Sequence, residues 1–326
     1  MSAPQDVEFV DISITVISRI WGKLPFDLFI KRAEGAYTRI FNRAEALDQE
    51  RLEHYRAEKG VAQLYVQKSD LEAYHRMVES VADEVFKDPK ASTTADILDT
   101  IKAMAEMTTF EILSTTSIEA NLVRHAAQTV QGCLGLMAKD PKALPSLFAL
   151  IGTNTYAIKH SLSSTIFALL IAKVDGSIKT ERNILHLGLG AFVHDVGMTR
   201  VPFDPDEKPQ LTADEWAQLK EHPELGARML DSIKGVPSEV REIVMQHHEQ
   251  PNGNGYPNAA HNARIYFPAK IVAVADAFSA LIQKRPFREH AFSPLQALGI
   301  LKTDHGKYDV TVLKALEQMI SPQKQQ

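Results

Sequence analysis

The stretch Ile271-Val-Ala-Val-Ala-Asp-Ala-Phe278 sets a single carboxylate, Asp276, in an otherwise wholly apolar run. Left unpaired in such surroundings a carboxylate costs several kcal/mol, so Asp276 calls for a cation or a donor. Upstream, the apolar run Leu185–Val193 ends on His194-Asp195. Adjacent coordinating residues on a helix point in neighbouring directions, so one can hold a metal while the carboxylate reaches a second. His222 opens His222-Pro-Glu-Leu-Gly-Ala-Arg228, where Pro223 suits a first helical turn. His247-His248-Glu249 follows the amphipathic segment Val236–Gln246. A lone histidine on an apolar face is more often a hydrogen-bonded core residue than a ligand. Joint occurrence decides otherwise: with His160 added, five histidines and two aspartates fall within about 120 residues. Imidazoles and carboxylates without thiolate suit Mn, Fe, Zn or Ni rather than a structural zinc.

Outward from these segments, the chain from Thr93 onward is helical in pattern, with breaks near Asp140-Pro141, Gly152, Asp175-Gly176 and Pro202–Pro209. The N-terminal part differs. Phe9–Ile17, Phe26–Ile30, Tyr37–Phe41 and Ala62–Gln67 predict strands. A helix begins at Asp48 and ends by Gly60, and Ser69-Asp-Leu-Glu72 predicts a capping box for the next helix. The expected fold is mostly α, a helical bundle preceded by a small α+β domain. Its expected divisions are residues 1–88, a helical connector and dimerisation region at 89–152, and the site-bearing domain at 153–326.

The 326 residues carry a net charge of −5, which argues against a surface that coats a nucleic acid polymer. Cys133 is the only cysteine, so neither a disulfide framework nor a thiolate metal site is available. It reads as a small buried hydrophobe. The N-terminus lacks the order of a signal peptide, and no apolar run approaches the roughly 18–20 residues of a membrane span. A cytoplasmic location is expected, unless a partner holds the chain elsewhere.

The ordered set His160, His194-Asp195, His222-Pro223, His247-His248 and Asp276 resembles the HD superfamily of metal-dependent phosphohydrolases. The eleven residues His247-His-Glu-Gln-Pro-Asn-Gly-Asn-Gly-Tyr-Pro257 are similar to the signature of its HD-GYP branch, the cyclic di-GMP phosphodiesterases of bacterial signalling. Leu211-Thr-Ala-Asp-Glu-Trp216 and Arg285-Pro-Phe-Arg288 match that branch as well. The resemblance covers about half the chain. It implies that His160, His194, Asp195 and Asp276 hold one metal and that His222, His247 and His248 hold the other. Asp195 bridges them and carries the catalytic role. Some members bind a third metal through a Glu four residues before the first His; that place is Tyr156 here, so two divalent ions, Fe or Mn, are expected. In such a binuclear site a hydroxide shared by both ions would attack a phosphodiester in line. Tyr256, Arg285, Arg288 and Gly255 are the expected substrate-binding residues, with the glycine letting backbone approach the ligand.

Three departures stand out. The family's Lys three residues past the Asp is Met198, its frequent Asp three residues past the last ligand is Ser279, and a usual Asp is Asn252. A methionine carries neither the charge nor the proton with which that Lys serves the scissile phosphate. The loss of such a contact costs about 2–4 kcal/mol. Slow hydrolysis of cyclic di-GMP, to the linear dinucleotide or GMP, is therefore one reading. A cyclic-dinucleotide sensor with little turnover is the other. A phosphohydrolase acting on another nucleotide is disfavoured by Gly255-Tyr-Pro257.

Of the other histidines, His54, His75 and His125 are expected on helix surfaces. His186 lies roughly 12 Å along a helix from His194, too far to share a metal. His261, His290 and His305 are expected in solvent. The segment Thr94–Leu113 predicts a helix that pairs with its counterpart in a homodimer. Partners of the GGDEF type, or other signalling proteins, complete the expectations.

Overall fold

The computed structural model describes residues 8–320 except 13, 20–21, 34, 60, 62, 115–119, 144–145, 147–155, 206–207, 209, 286–287 and 289. The chain divides into two compact units, residues 1–107 with 135–143, and residues 108–134 with 144–326. The stretch 89–152, read above as a connector, is thus shared between them.

In the first unit β1 (Phe9–Ile12), β2 (Leu28–Ala33), β3 (Ala36–Phe41) and β4 (Leu64–Gln67) form an antiparallel sheet in the order β1-β4-β2-β3. The strand expected over Phe9–Ile17 stops at Ile12, and Ile14–Ile17 makes a helical turn, α1. Val16 and Ile17 are buried side by side, which a strand facing water on one side would not allow. A short helix, α2 (Gln49–Glu53), is capped by Asp48, and Gly60 lies outside the described residues.

The capping box expected at Ser69–Glu72 does not form. Ser69 lies inside a 3-10 turn, Lys68–Asp70, that feeds α3 (Leu71–Lys87), and the Glu72 carboxylate that would complete the box pairs with Arg76 instead. Two long helices follow, α4 (Thr94–Ser114) and α5 (Ala120–Lys139). The Thr94–Leu113 helix is therefore present.

The second unit is a helical bundle built around α6 (Tyr156–Asp175). Its other helices are α7 (Glu181–Val193), α8 (Ala213–Leu219), α9 (His222–Asp231), α10 (Ser238–Gln246), α11 (Phe267–Ile282), α12 (Pro294–Thr303) and α13 (Val310–Ile320). Helix α6 is long and apolar enough to cross a membrane by length and composition, but 67% of its most apolar window is buried within the protein. Leu162 to Ala172 are all buried, and Phe167, Ala168 and Ile171 pack with Ile271, Val274 and Phe278 of α11 and with Leu187 and Ala191 of α7. This is the pattern of a central core helix. Phe167 and Phe278 meet edge to face at 4.9 Å. The packing aligns α6, α7 and α11 so that the His- and Asp-bearing turns converge at one place.

Cys133 is buried, and burial pushes its thiol up to about 12, as befits an inert core residue. His125, expected at a surface, is buried instead, with Nδ1 2.9 Å from the Glu111 carboxylate on α4. The carboxylate supplies the polar partner that makes a buried imidazole tolerable. His54, His261, His290 and His305 are exposed, while His75 and His186 are half-buried.

Candidate metal centre and substrate cleft

The seven predicted ligands come together in the second unit as two groups. Asp195, His222, His247 and His248 form one, and His160, His194 and Asp276 the other, each with ligand atoms within 4.8 Å of one another. Asp195 faces both. Its Oδ2 lies 3.2 Å from His194 Nε2 and 3.5 Å from His160 Nε2, whereas Oδ1 lies 3.3 Å from His222 Nε2 and 3.7 Å from His247 Nε2. Asp276 Oδ1 is 3.1 Å from His160 Nε2 and 3.9 Å from His194 Nε2. The lone carboxylate of the apolar run therefore has its partners.

Helix ends set the direction of three imidazoles. His194 follows the last residue of α7, and its Nδ1 lies 2.7 Å from the Ala191 carbonyl. His247 follows α10 and reaches Val244 O at 2.7 Å, while His222 reaches Leu219 O, at the end of α8, at 2.7 Å. Carbonyls in the last turn of a helix lack intrahelical partners, so each ring N–H satisfies one of them. That hydrogen bond puts the proton on Nδ1 and leaves the Nε2 lone pair aimed at the cluster. His160 differs. It sits inside α6, and its Nδ1 faces Ser279 Oγ at 3.5 Å.

These arrangements fit metal ions. His222 Nε2 and His247 Nε2 stand 3.2 Å apart with both lone pairs facing inward. That spacing matches two nitrogens each about 2.0–2.1 Å from a shared ion. His194 Nε2 is buried without a hydrogen-bond partner. Among the described residues no third group of this kind accompanies the two. Tyr156, at the place of the third-metal carboxylate, instead lays its ring against His160 at 5.4 Å and 14°.

Charge follows the same plan. Burial opposes ionisation of Asp195 and Asp276, yet the surrounding histidines outweigh it and hold both carboxyls below the usual range. Burial works against protonating His194, but Asp195 and Asp276 raise it to about 9. Burial, reinforced by neighbouring imidazoles, lowers His247 and His248. Two carboxylates thus face five imidazoles, a donor set that a divalent cation would hold with the imidazoles neutral.

Sequence reasoning passed over two residues that build the site. Gly197, in the 3-10 turn Val196–Arg200, has no room for a side chain: a Cβ would stand 2.0 Å from His222 O and 2.6 Å from Gly226 N. Nothing in the sequence around Gly197 marks that close approach. Glu249 is buried and accepts from Asn258 N at 2.6 Å and Ala260 N at 2.8 Å, closing the Gly-rich loop onto α10. Gly255 serves the same closure, because a Cβ there would meet Gln250 N, Glu249 Cα and His248 O at 2.3–2.6 Å. The close approach it permits is to the protein's own backbone.

A cleft of about 650 Å³ opens over the cluster, a volume ordinary for a small-molecule site. Its lining includes His160, Asp195, His222, His248 and Asp276, with Met198 and Tyr256 beside them. Tyr256 packs on His248 at 4.7 Å, and burial, followed by the Asp195 and Asp276 charges, raises its phenol so that it stays protonated. The lining also includes Leu211, Trp216, Leu219 and Lys208, together with Arg285, Arg288 and Lys307. Lys208 is ion-paired with Glu215. Arg288 directs Nη2 at the carbonyls of Ala280, Leu281 and Gln283, so part of its donor set closes the end of α11. Ser279 is buried and bonds to Ser163, and Gln283 Nε2 donates to both hydroxyls at 2.6 and 2.7 Å. The position of the frequent carboxylate is thus filled by a neutral network.

Residues 162–312 match the HD domain family. A cyclic di-GMP phosphodiesterase of Pseudomonas aeruginosa is 30% identical over 192 residues, which is 59% of this chain and 46% of that protein. A cyclic di-GMP phosphodiesterase response regulator of Xanthomonas campestris is 34% identical over 140 residues, 42% of this chain and 37% of that one. A 3'3'-cGAMP-specific phosphodiesterase of Vibrio cholerae is 38% identical over 99 residues, 30% of this chain and 19% of that one. The chain thus spans less than half the length of these relatives. An HDG"Y"P protein from Bdellovibrio bacteriovorus shares the fold, with a TM-score of 0.65 at 19% identity over 96% of this chain and 99% of that one.

Proposed function

We propose that this chain, whose residues 162–312 match the HD domain family, is of the HD-GYP branch and hydrolyses the phosphodiester bonds of a cyclic dinucleotide, cyclic di-GMP first. One observation carries the reading: each oxygen of the Asp195 carboxylate faces a different group of imidazoles. A bridging carboxylate is what a binuclear centre needs. Fe or Mn suits the nitrogen and oxygen donors. Two divalent ions held by these residues would supply Lewis-acid polarisation of a phosphodiester and a lowered pKa for water.

The chain's own residues do the rest. Asp195 sets the spacing of the two groups, and the backbone-anchored rings of His194, His222 and His247 keep their lone pairs directed inward. The Tyr256 hydroxyl, held protonated by burial, donates to a phosphate oxygen or a base edge. Arg285, which lines the cleft, meets substrate phosphate, joined by whatever donor capacity Arg288 retains. Met198 lines the cleft where a proton and a positive charge would serve the departing oxygen. Turnover is accordingly slow. The second reading, a sensor that binds without turnover, rests on that same methionine.

Protein loaded with Mn or Fe is incubated with cyclic di-GMP and, separately, with 3'3'-cGAMP, and products are followed by chromatography. Linear dinucleotide or mononucleotide from either supports the hydrolase. Tight binding with no product supports the sensor. Neither binding nor product contradicts both.

A further inference from the structure

Tyr156 stands at the start of α6, one turn before the ligand His160, and is absorbed by none of the chemistry above. Its ring stacks on His160 with centroids 5.4 Å apart and planes 14° from parallel. The Arg285 guanidinium lies over the Tyr156 ring, its carbon 3.9 Å from the centroid. One aromatic side chain thus joins a cation of the cleft wall to the helix that presents a metal ligand.

Arg285 has a cationic neighbour. It lies three residues beyond α11, and Arg288 N donates to Arg285 O at 3.0 Å. Arg288 donates to carbonyls of α11, and both arginines line the same cleft. Burial, and then the charge of Arg285, lower the Arg288 guanidinium, so the two cations repel at close quarters. An arginine has about 2 kcal/mol of rotamer freedom with which to escape such a neighbour. An aromatic face opposes the escape, because its negative quadrupole attracts the cation. Stacking uses the face of the guanidinium, while hydrogen bonds to an anion use its edge, so the two do not compete.

We propose that Tyr156 is a positioning residue that seats Arg285 in the cleft, fixing the cation relative to His160 for contact with an anionic phosphodiester. The inference rests on the proposed reaction for its ligand, but not for its geometry. A seated arginine binds substrate without first losing its freedom, so the effect falls on affinity rather than on the chemical step.

The test compares Tyr156→Leu and Tyr156→Phe in the full chain loaded with metal. Tyr156→Leu keeps apolar bulk without a π face, and it is expected to raise KM for cyclic di-GMP by about 3- to 30-fold. Metal content stays at the wild-type value, and kcat stays within about two-fold. Tyr156→Phe keeps the ring and restores KM. An unchanged KM in the leucine variant, or a phenylalanine variant as weak as it, overturns the proposal. The Arg285 Nε–H resonance supplies a second reading that needs no substrate. Ring current displaces it in the wild type and in Tyr156→Phe, and the displacement is lost in Tyr156→Leu. That pattern in a protein inactive on cyclic di-GMP would uphold the seat and sink the reaction. A resonance unmoved by Tyr156→Leu overturns the seat whatever the activity.

Discussion

Two half-buried carboxylates in different units of the molecule meet opposite fates. Glu106, on α4 in the first unit, has Lys102 3.9 Å away, and its partial burial outweighs that lysine, lifting its carboxyl to about 7. Asp276, in the apolar run of α11, is half-buried as well, yet His160, His194 and His248 hold its carboxyl below the usual range. Burial alone drives an acid toward its neutral form. An acid that stays ionised in an apolar helix therefore marks a place where the fold has assembled positive partners, and such assembly is a signature of function rather than of packing. Asp195 repeats the pattern, with histidines on both of its oxygens.

The largest effect should come from dismantling the ionised side of this contrast. Asp195→Asn removes the bridging charge while keeping the shape, and turnover is expected to fall by roughly 10³-fold, with loss of metal measured on the same sample. Retention of both activity and metal would break the contrast. Next, Met198→Lys places a cation at the position three residues past Asp195, and kcat should rise by up to roughly 10²-fold in a variant that keeps its metals. No gain would mean that another group already serves the departing oxygen.

The neutral side offers a smaller test through pH. Glu106 has a folded pKa near 7 against an ordinary value of 4.5, so the fold holds its proton more tightly than the unfolded chain does. Below about pH 4.5 this costs nothing. As pH climbs toward 7 and beyond, burial of the acid costs stability. Glu106→Gln should therefore match the wild type near pH 4.5 and exceed it by about 1–3 kcal/mol at pH 8 in denaturant unfolding. A gap independent of pH would show that Glu106 does not bear the charge cost. Smallest is Ser279→Ala, which removes the hydroxyl facing His160 and should weaken metal affinity by about ten-fold, read by competition with a chelator.

Much of this was legible in the sequence because metal chemistry demands unusual residues in unusual places. Asp276 in its apolar run, His194-Asp195 at a helix end and the His247–Pro257 string each violate the ordinary pattern of a core or surface. The helical bundle and its α+β prelude followed from periodicity and turn residues. The rest depended on contacts that periodicity does not encode. His125 read as a surface residue because its partner Glu111 belongs to another helix. Ser69-Asp-Leu-Glu72 fitted a capping box, yet Ser69 is taken into a 3-10 turn and Glu72 pairs with Arg76. Phe9–Ile17 had the composition of one strand, yet its second half buries consecutive residues as a helical turn. Gly197 and Glu249 carry no signature of their own, since their work is a close approach of backbones and the closure of a loop. Tyr156 was legible only as a missing ligand, and its stacking on Arg285 needed the structure.

The account stands most directly on metal content. Chain purified without chelator, under conditions that preserve ferrous iron and manganese, is analysed by plasma mass spectrometry against protein concentration. Two divalent ions per chain, falling in Asp195→Asn, is the result predicted by a carboxylate that faces both imidazole groups. A stoichiometry of one or three in the wild type, or two ions retained without Asp195, would contradict it.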